Sequence, residues 1–139
     1  MILYNKLNKV TKEYMINVAL LGFGRIGQMH AQNINKHKSL KLLYVYEKID
    51  KLGKKASRLY NCNIEKNYKK IFSDKNVDII FISSPTSTHI NFIEEGIKYK
   101  KTIFCEKPLD LNIHKISKTF KKVKKNKSKI QLGFNRRYD

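Results

Sequence analysis

The chain has 139 residues, 41% of them hydrophobic, and a formal net charge of +19. That is one domain's worth of chain with enough apolar content for a packed core, which excludes a disordered protein. No apolar run approaches the roughly 18–20 residues of a membrane span.

The charge comes from 30 Lys and Arg set against 11 Asp and Glu. The lysines are spread over almost every polar segment. With the abundant Asn and Ile they read as compositional drift towards A+T-rich codons. Only residues 121–127 form a dense basic cluster. The expectation is no specific nucleic-acid partner, no membrane partner, and weak polyanion binding that fades with salt. The two cysteines, Cys62 and Cys105, form neither a disulfide framework nor a metal spacing, so no metal and a cytoplasmic location are expected.

Residues 1–14 show no clear periodicity and read as a mobile extension without the apolar region of a secretory signal. A start at Met15 is the alternative. Residues 15–139 then read as one domain. Ile16–Leu21 is a strand that runs into Gly22-Phe23-Gly24-Arg25-Ile26-Gly27. Strand, Gly-x-Gly-x-x-Gly and helix in succession form a dinucleotide fingerprint. Gly22 permits the tight turn. Gly24 lets backbone approach a pyrophosphate, and Gly27 lets the helix pack on the strand. The helix N-terminus faces the anion.

Arg25–Lys36 reads as that helix, with Ile26, Met29, His30, Asn33 and Ile34 at helical spacing and His30 as a packing residue. Leu40–Tyr46 is the second strand, and Glu47 follows it, 20 residues after Gly27. An acid there accepts hydrogen bonds from the adenosine ribose and repels a 2′-phosphate, favouring NAD over NADP. Lys48 partly offsets that repulsion. Asp50–Tyr60 reads as a helix with Asp50 as N-cap, ended by Asn61-Cys62-Asn63. Tyr68–Ser73 reads as a short helix.

Val77–Ile82 is an uninterrupted apolar strand of the kind covered on both faces. It ends in Ser83-Ser84-Pro85, where a strand's C-terminal loop lines the ligand crevice. Ser83 and Ser84 could offer hydroxyl or backbone groups to a cofactor, and Pro85 fixes the turn. Ser87–Tyr99 is the next helix, with Ile90, Phe92, Ile93 and Ile97 as its core and His89 in its first turn. Lys101–Cys105 is a strand ending in Glu106-Lys107-Pro108. Pro108 restrains Lys107 from the helical region. Asn112–Lys125 reads as a basic amphipathic helix with Ile113, Ile116, Phe120 and Val123 as its core face. Lys129–Phe134 is the last strand. The alternation predicts an α/β fold: a doubly wound, mostly parallel sheet with helices on both faces, a Rossmann fold.

The glycine turn, Glu47, Ser84-Pro85-Thr86 with His89, and Phe104-Cys105-Glu106-Lys107-Pro108-Leu109 together resemble the Gfo/Idh/MocA oxidoreductases, from about Ile16 to Asp139. The segment from Gly133 to Asp139 is similar to the Gly-Phe-x-Arg-Arg-Tyr/Phe-Asp stretch of the inositol 2-dehydrogenases in that family. The resemblance implies NAD as cofactor and a polyol as substrate. It implies that Lys107 is catalytic, hydrogen-bonding the reacting hydroxyl. It places Glu106 and His89 with the cofactor residues, and Asn135 and Arg136 near the substrate. Family members also carry a second domain that supplies an Asp, a His base and the oligomer interface. None of it is found in this sequence, so the chain is expected to be a truncated or split form, inactive alone. A non-catalytic dinucleotide module acting through a partner, and a basic interaction protein on the same frame, are the alternatives.

Overall fold

The computed structural model describes residues 14–134. Six parallel strands form one sheet: β1 (Ile16–Leu21), β2 (Leu40–Tyr46), β3 (Asn63–Ile64), β4 (Ile79–Ile82), β5 (Thr102–Cys105) and β6 (Ile130–Leu132). Their order is β3-β2-β1-β4-β5-β6. The order reverses between β1 and β4, and the crevice outside the carboxyl ends of these two strands is where such sheets take ligands. The helices are α1 (Arg25–Lys36), α2 (Asp50–Tyr60), α3 (Tyr68–Ser73), α4 (His89–Lys98) and α5 (Ile113–Lys125).

The alternation of β1 splits the core in two. Val18 and Leu20 pack with Ala31 and Ile34 of α1 and Ala56 of α2. Ala19 and Leu21 face the other way, towards Ile71 and Phe72 of α3, Phe92, Ile93 and Ile97 of α4, and Val123 of α5. Successive strand side chains point to opposite faces, so one strand serves both layers.

Several expectations need correction. Asn63–Ile64 adds an edge strand by pairing with Tyr44 and Val45; two residues are too short to leave a periodic signal. In α1 the buried face is Gly27, Ala31 and Ile34, while Ile26 and Met29 stay 38% and 47% exposed. The helix lies so close to the sheet that small residues occupy the contact. Asp50 is the first helical residue and Ile49 the N-cap; the Asp50 side chain pairs with Lys66. β4 begins at Ile79, and its burial alternates, because helices cover only one of its faces fully. A 3-10 turn, Thr86–Thr88, takes the start of the expected fourth helix. In α5, Asn112 caps the helix, accepting from the N–H groups of His114 and Lys115. Ile113 is 69% exposed, and Thr119 takes the expected core place beside Val123. Residues 1–13, with most of the expected extension, lie outside the described residues.

Candidate functional site: a glycine turn between two cavities

The turn from β1 to α1 explains each glycine by contact. Gly22 has φ +97°, and a Cβ on it would lie 2.8 Å from the Ser84 backbone. A Cβ on Gly27 would meet the Gly22 carbonyl oxygen at 2.1 Å. Both must be glycine for the turn to close and the helix to seat. At Gly24 a Cβ would meet nothing within 4 Å. That open face lies at the helix N-terminus, where Gly24 is the cap and no side chain satisfies the first-turn N–H groups. Uncapped N–H groups beside an open backbone suit a pyrophosphate.

Glu47 is held firmly at the end of β2. Its Oε2 accepts from the Phe23 N–H at 2.8 Å and its Oε1 from the Ile49 N–H at 2.9 Å. Each oxygen keeps a second lone pair for a ribose hydroxyl. The carboxylate edges a cavity of about 420 Å3 formed with Gly22, Tyr68, Ser84, Thr88 and Asn91. Lys48 also lines it. Tyr68, Thr88 and Asn91 were not singled out from the sequence. They come from three separate stretches that only the fold joins.

The loop after β4 is fixed from within. The Ser83 hydroxyl donates to the Gly22 carbonyl at 2.9 Å, locking this loop to the glycine turn. The Thr88 hydroxyl donates to the Pro85 carbonyl, so the Ser84 hydroxyl donates to Thr88 at 2.6 Å. His89 is 1% exposed. Its Nδ1 lies 2.8 Å from the Pro108 carbonyl oxygen and its Nε2 2.8 Å from that of Ser84. It therefore ties the loop after β4 to the loop after β5, reaching the crevice through them.

A second cavity, of about 490 Å3, opens at the carboxyl end of β5. Ile26, His30, Glu106, Lys107 and Gly133 are among its walls. The Lys107 side chain is exposed there, and the Lys107–Pro108 peptide is cis. The His30 Nε2–H donates to Glu106 Oε1 at 2.6 Å. His30 stands over Phe81 and Phe104, which stack at 4.3 Å. The two residues are 76 apart in sequence, and no local pattern announces the pair. Asn135 and Arg136 lie outside the described residues.

The thiols are inert parts of the core. Burial pushes Cys62 up from its ordinary value. Burial, helped by the neighbouring Glu106 carboxylate, pushes Cys105 up to about 12. Among the described residues no helix is long and apolar enough to cross a membrane.

Comparison with known proteins agrees with this geometry. The Gfo/Idh/MocA family, described as an oxidoreductase family with an NAD-binding Rossmann fold, matches residues 16–134. The chain is 34% identical over 125 residues to the uncharacterized oxidoreductase YrbE of Bacillus subtilis, covering 89% of this chain and 37% of the relative. It is 33% identical over 124 residues to an inositol 2-dehydrogenase of Rhizobium meliloti, with the same two shares. Its fold superposes with a TM-score of 0.85, at 30% identity, on a scyllo-inositol dehydrogenase from Lactobacillus casei solved with NAD(H) and scyllo-inositol. That match covers 90% of this chain and 38% of the other. The chain thus spans a little over a third of the length of the relatives it matches. The glycine turn with an open Gly24, the uncapped helix and the pinned Glu47 fit NAD, and the chain belongs to the Gfo/Idh/MocA oxidoreductases as their NAD-binding Rossmann domain.

Proposed function

We propose that this chain is the cofactor-binding part of an NAD-dependent oxidoreductase that removes hydride from a CH–OH carbon of an inositol-like polyol. One arrangement carries the reading: the glycine turn stands between a cavity edged by Glu47 and a cavity edged by Lys107. When bound, NAD supplies the hydride acceptor. Glu47 anchors the ribose end and disfavours a 2′-phosphate by like charge. Lys107 hydrogen-bonds the reacting hydroxyl and favours alkoxide character through its fixed positive charge. Two inositol dehydrogenases among the relatives support the substrate class.

The reaction also needs a base and a second wall to hold the polyol. The relatives are nearly three times as long as the matched region. In this reading the 139 residues bind NAD weakly and do not turn over alone; the complementary domain, added in trans or fused, restores activity. The test follows absorbance of reduced nicotinamide with NAD and myo-inositol, with and without that domain. No turnover in either state overturns the enzyme reading. Calorimetric titration tests the cofactor half separately: Glu47→Ala should weaken NAD about tenfold. Equal affinity in both proteins removes Glu47 from the site.

A further inference from the structure

We propose that the corner formed by α5 and the loops at the amino ends of β5 and β6 docks the phosphate backbone of a nucleic-acid strand, without reading its sequence. The charge of the chain is segregated as well as large. From Leu111 to Tyr138 there are ten Lys and Arg and no Asp or Glu, whereas residues 1–110 hold twenty against ten. Codon drift raises lysine everywhere and does not account for a stretch free of acids.

The fold concentrates that charge. The apolar side of α5 is turned into the core through Thr119 and Val123. Lys118, Lys121, Lys124 and Lys125 are left exposed. Lys122 is paired with Glu94. Beyond the helix, a notch of about 290 Å3 is lined by Lys100, Lys101, Lys127 and Lys129 and by no carboxylate. The Lys101 Nζ donates to the Asp74 and Val77 carbonyl oxygens and faces the Asp74 and Asp78 carboxylates, so the free charge of the notch is that of Lys100, Lys127 and Lys129. Lys100 and Lys127 occupy left-handed backbone, at φ 54° and 50°, just past the ends of α4 and α5. Such positions favour Gly or Asn.

The helix dipole draws cations to a last turn, which explains Lys122, Lys124 and Lys125. It does not explain Lys115 and Lys118, in the first two turns of a helix with no acidic residue in its first turn. A membrane surface fits less well. The exposed apolar residues of this region, Leu111 and Ile113, lie at the other end of α5. The corner thus has no apolar wedge to insert. The notch opens at the amino ends of the strands, and the cofactor crevice at their carboxyl ends, so both can be filled together.

The test is fluorescence anisotropy of the full chain with a labelled mixed-sequence strand of about 20 nucleotides. A quadruple variant, Lys121→Glu with Lys124→Glu, Lys125→Glu and Lys127→Glu, is compared with a charge-matched control, Lys36→Glu with Lys41→Glu, Lys51→Glu and Lys54→Glu. The corner variant should lose at least about tenfold in affinity and flatten the slope of log K against log salt by about 3. The control should change much less, and saturating NAD should leave binding unaltered. Equal losses in the two variants would show diffuse charge and overturn the proposal. Displacement by NAD would place the strand in the crevice instead and also overturn it. So would binding to phosphatidylserine vesicles with none to the strand.

Discussion

His30 Nε2 lies 2.6 Å from Glu106 Oε1, and this contact joins the glycine-turn helix to the loop that carries Lys107. The side chains are 12% and 19% exposed. On the other side, a Cβ on Gly133 would meet the Glu106 carboxylate at 3.1–3.2 Å, so the end of β6 closes the box. A partly buried carboxylate that loses its donor keeps its desolvation cost. His30→Ala should therefore destabilise the fold by about 2–3 kcal/mol, combining that cost with the lost packing on Phe81 and Phe104. His30→Gln, which retains an N–H donor, should recover part of it. A double-mutant cycle with Glu106→Gln in urea unfolding should give a coupling of at least about 1 kcal/mol. Additive effects would show the pair to be incidental.

Gly27 and Gly24 of the turn should separate cleanly by substitution. Gly27→Ala drives a methyl onto the Gly22 carbonyl, a backbone atom that cannot move aside. It should cost about 3 kcal/mol or more and lower NAD affinity through the distorted turn. Gly24→Ala meets open space and carries only the cost of Ala at an N-cap, so urea unfolding should shift by about 1 kcal/mol. Its methyl nevertheless occupies the face offered to the pyrophosphate, so NAD binding by calorimetry should fall at least about tenfold. Full affinity in Gly24→Ala would mean that the cofactor does not cross this face.

The elements were legible because their signals are local. Ile16–Leu21 into the glycine turn, Leu40–Tyr46 and the Tyr68–Ser73 helix fall where patterning puts them. The place of Glu47 at the end of β2, beside the glycine turn, was legible because its distance from Gly27 is fixed by one strand–helix–strand unit. What escaped depends on joining distant stretches. His30 reads as packing until Glu106 is brought to it. Tyr68, Thr88 and Asn91 acquire a shared cavity only once α3 and α4 are laid on one face. Ile113 and Ile26 fit a helical period but fall outside the contact, because an apolar period gives a face and not its width.

Cys105 links burial to alkaline stability. Its thiol is held up at about 12 in the folded protein and returns to about 8.5 when unfolded. Above the unfolded value the unfolded chain sheds this proton while the native one keeps it. Native stability from this group is therefore complete below about pH 8.5 and declines as pH rises towards 12. Unfolding free energy measured from pH 8 to 10.5 should fall with a slope that Cys105→Ala reduces, even though the variant starts lower from lost packing. Both buried cysteines should resist a thiol reagent at pH 8 in the native protein and react in urea. Rapid native labelling of Cys105 would contradict its burial.

His89 lies within hydrogen-bond distance of two carbonyl oxygens that can only accept, and a ring N–H satisfies at least one of them. At 1% exposure no water can replace the ring. His89→Leu keeps the bulk and removes the ring's N–H donation, stranding at least one of the Ser84 and Pro108 carbonyls. A buried orphan costs about 1–3 kcal/mol, and a loss of that order is expected in urea unfolding. His89→Gln offers one amide group and should fall between. The effect also has a direction in space. Ser84 belongs to the cavity beside Glu47, and Pro108 adjoins Lys107, so losing the tie should release both loops while β1 and β2 stay protected. Native-state hydrogen exchange of His89→Gln should show faster amides at residues 83–89 and 106–110 than in the parent chain, with core-strand amides unchanged. Uniform acceleration across the sheet would mean that His89 supports the core as a whole and not the two loops that frame the site.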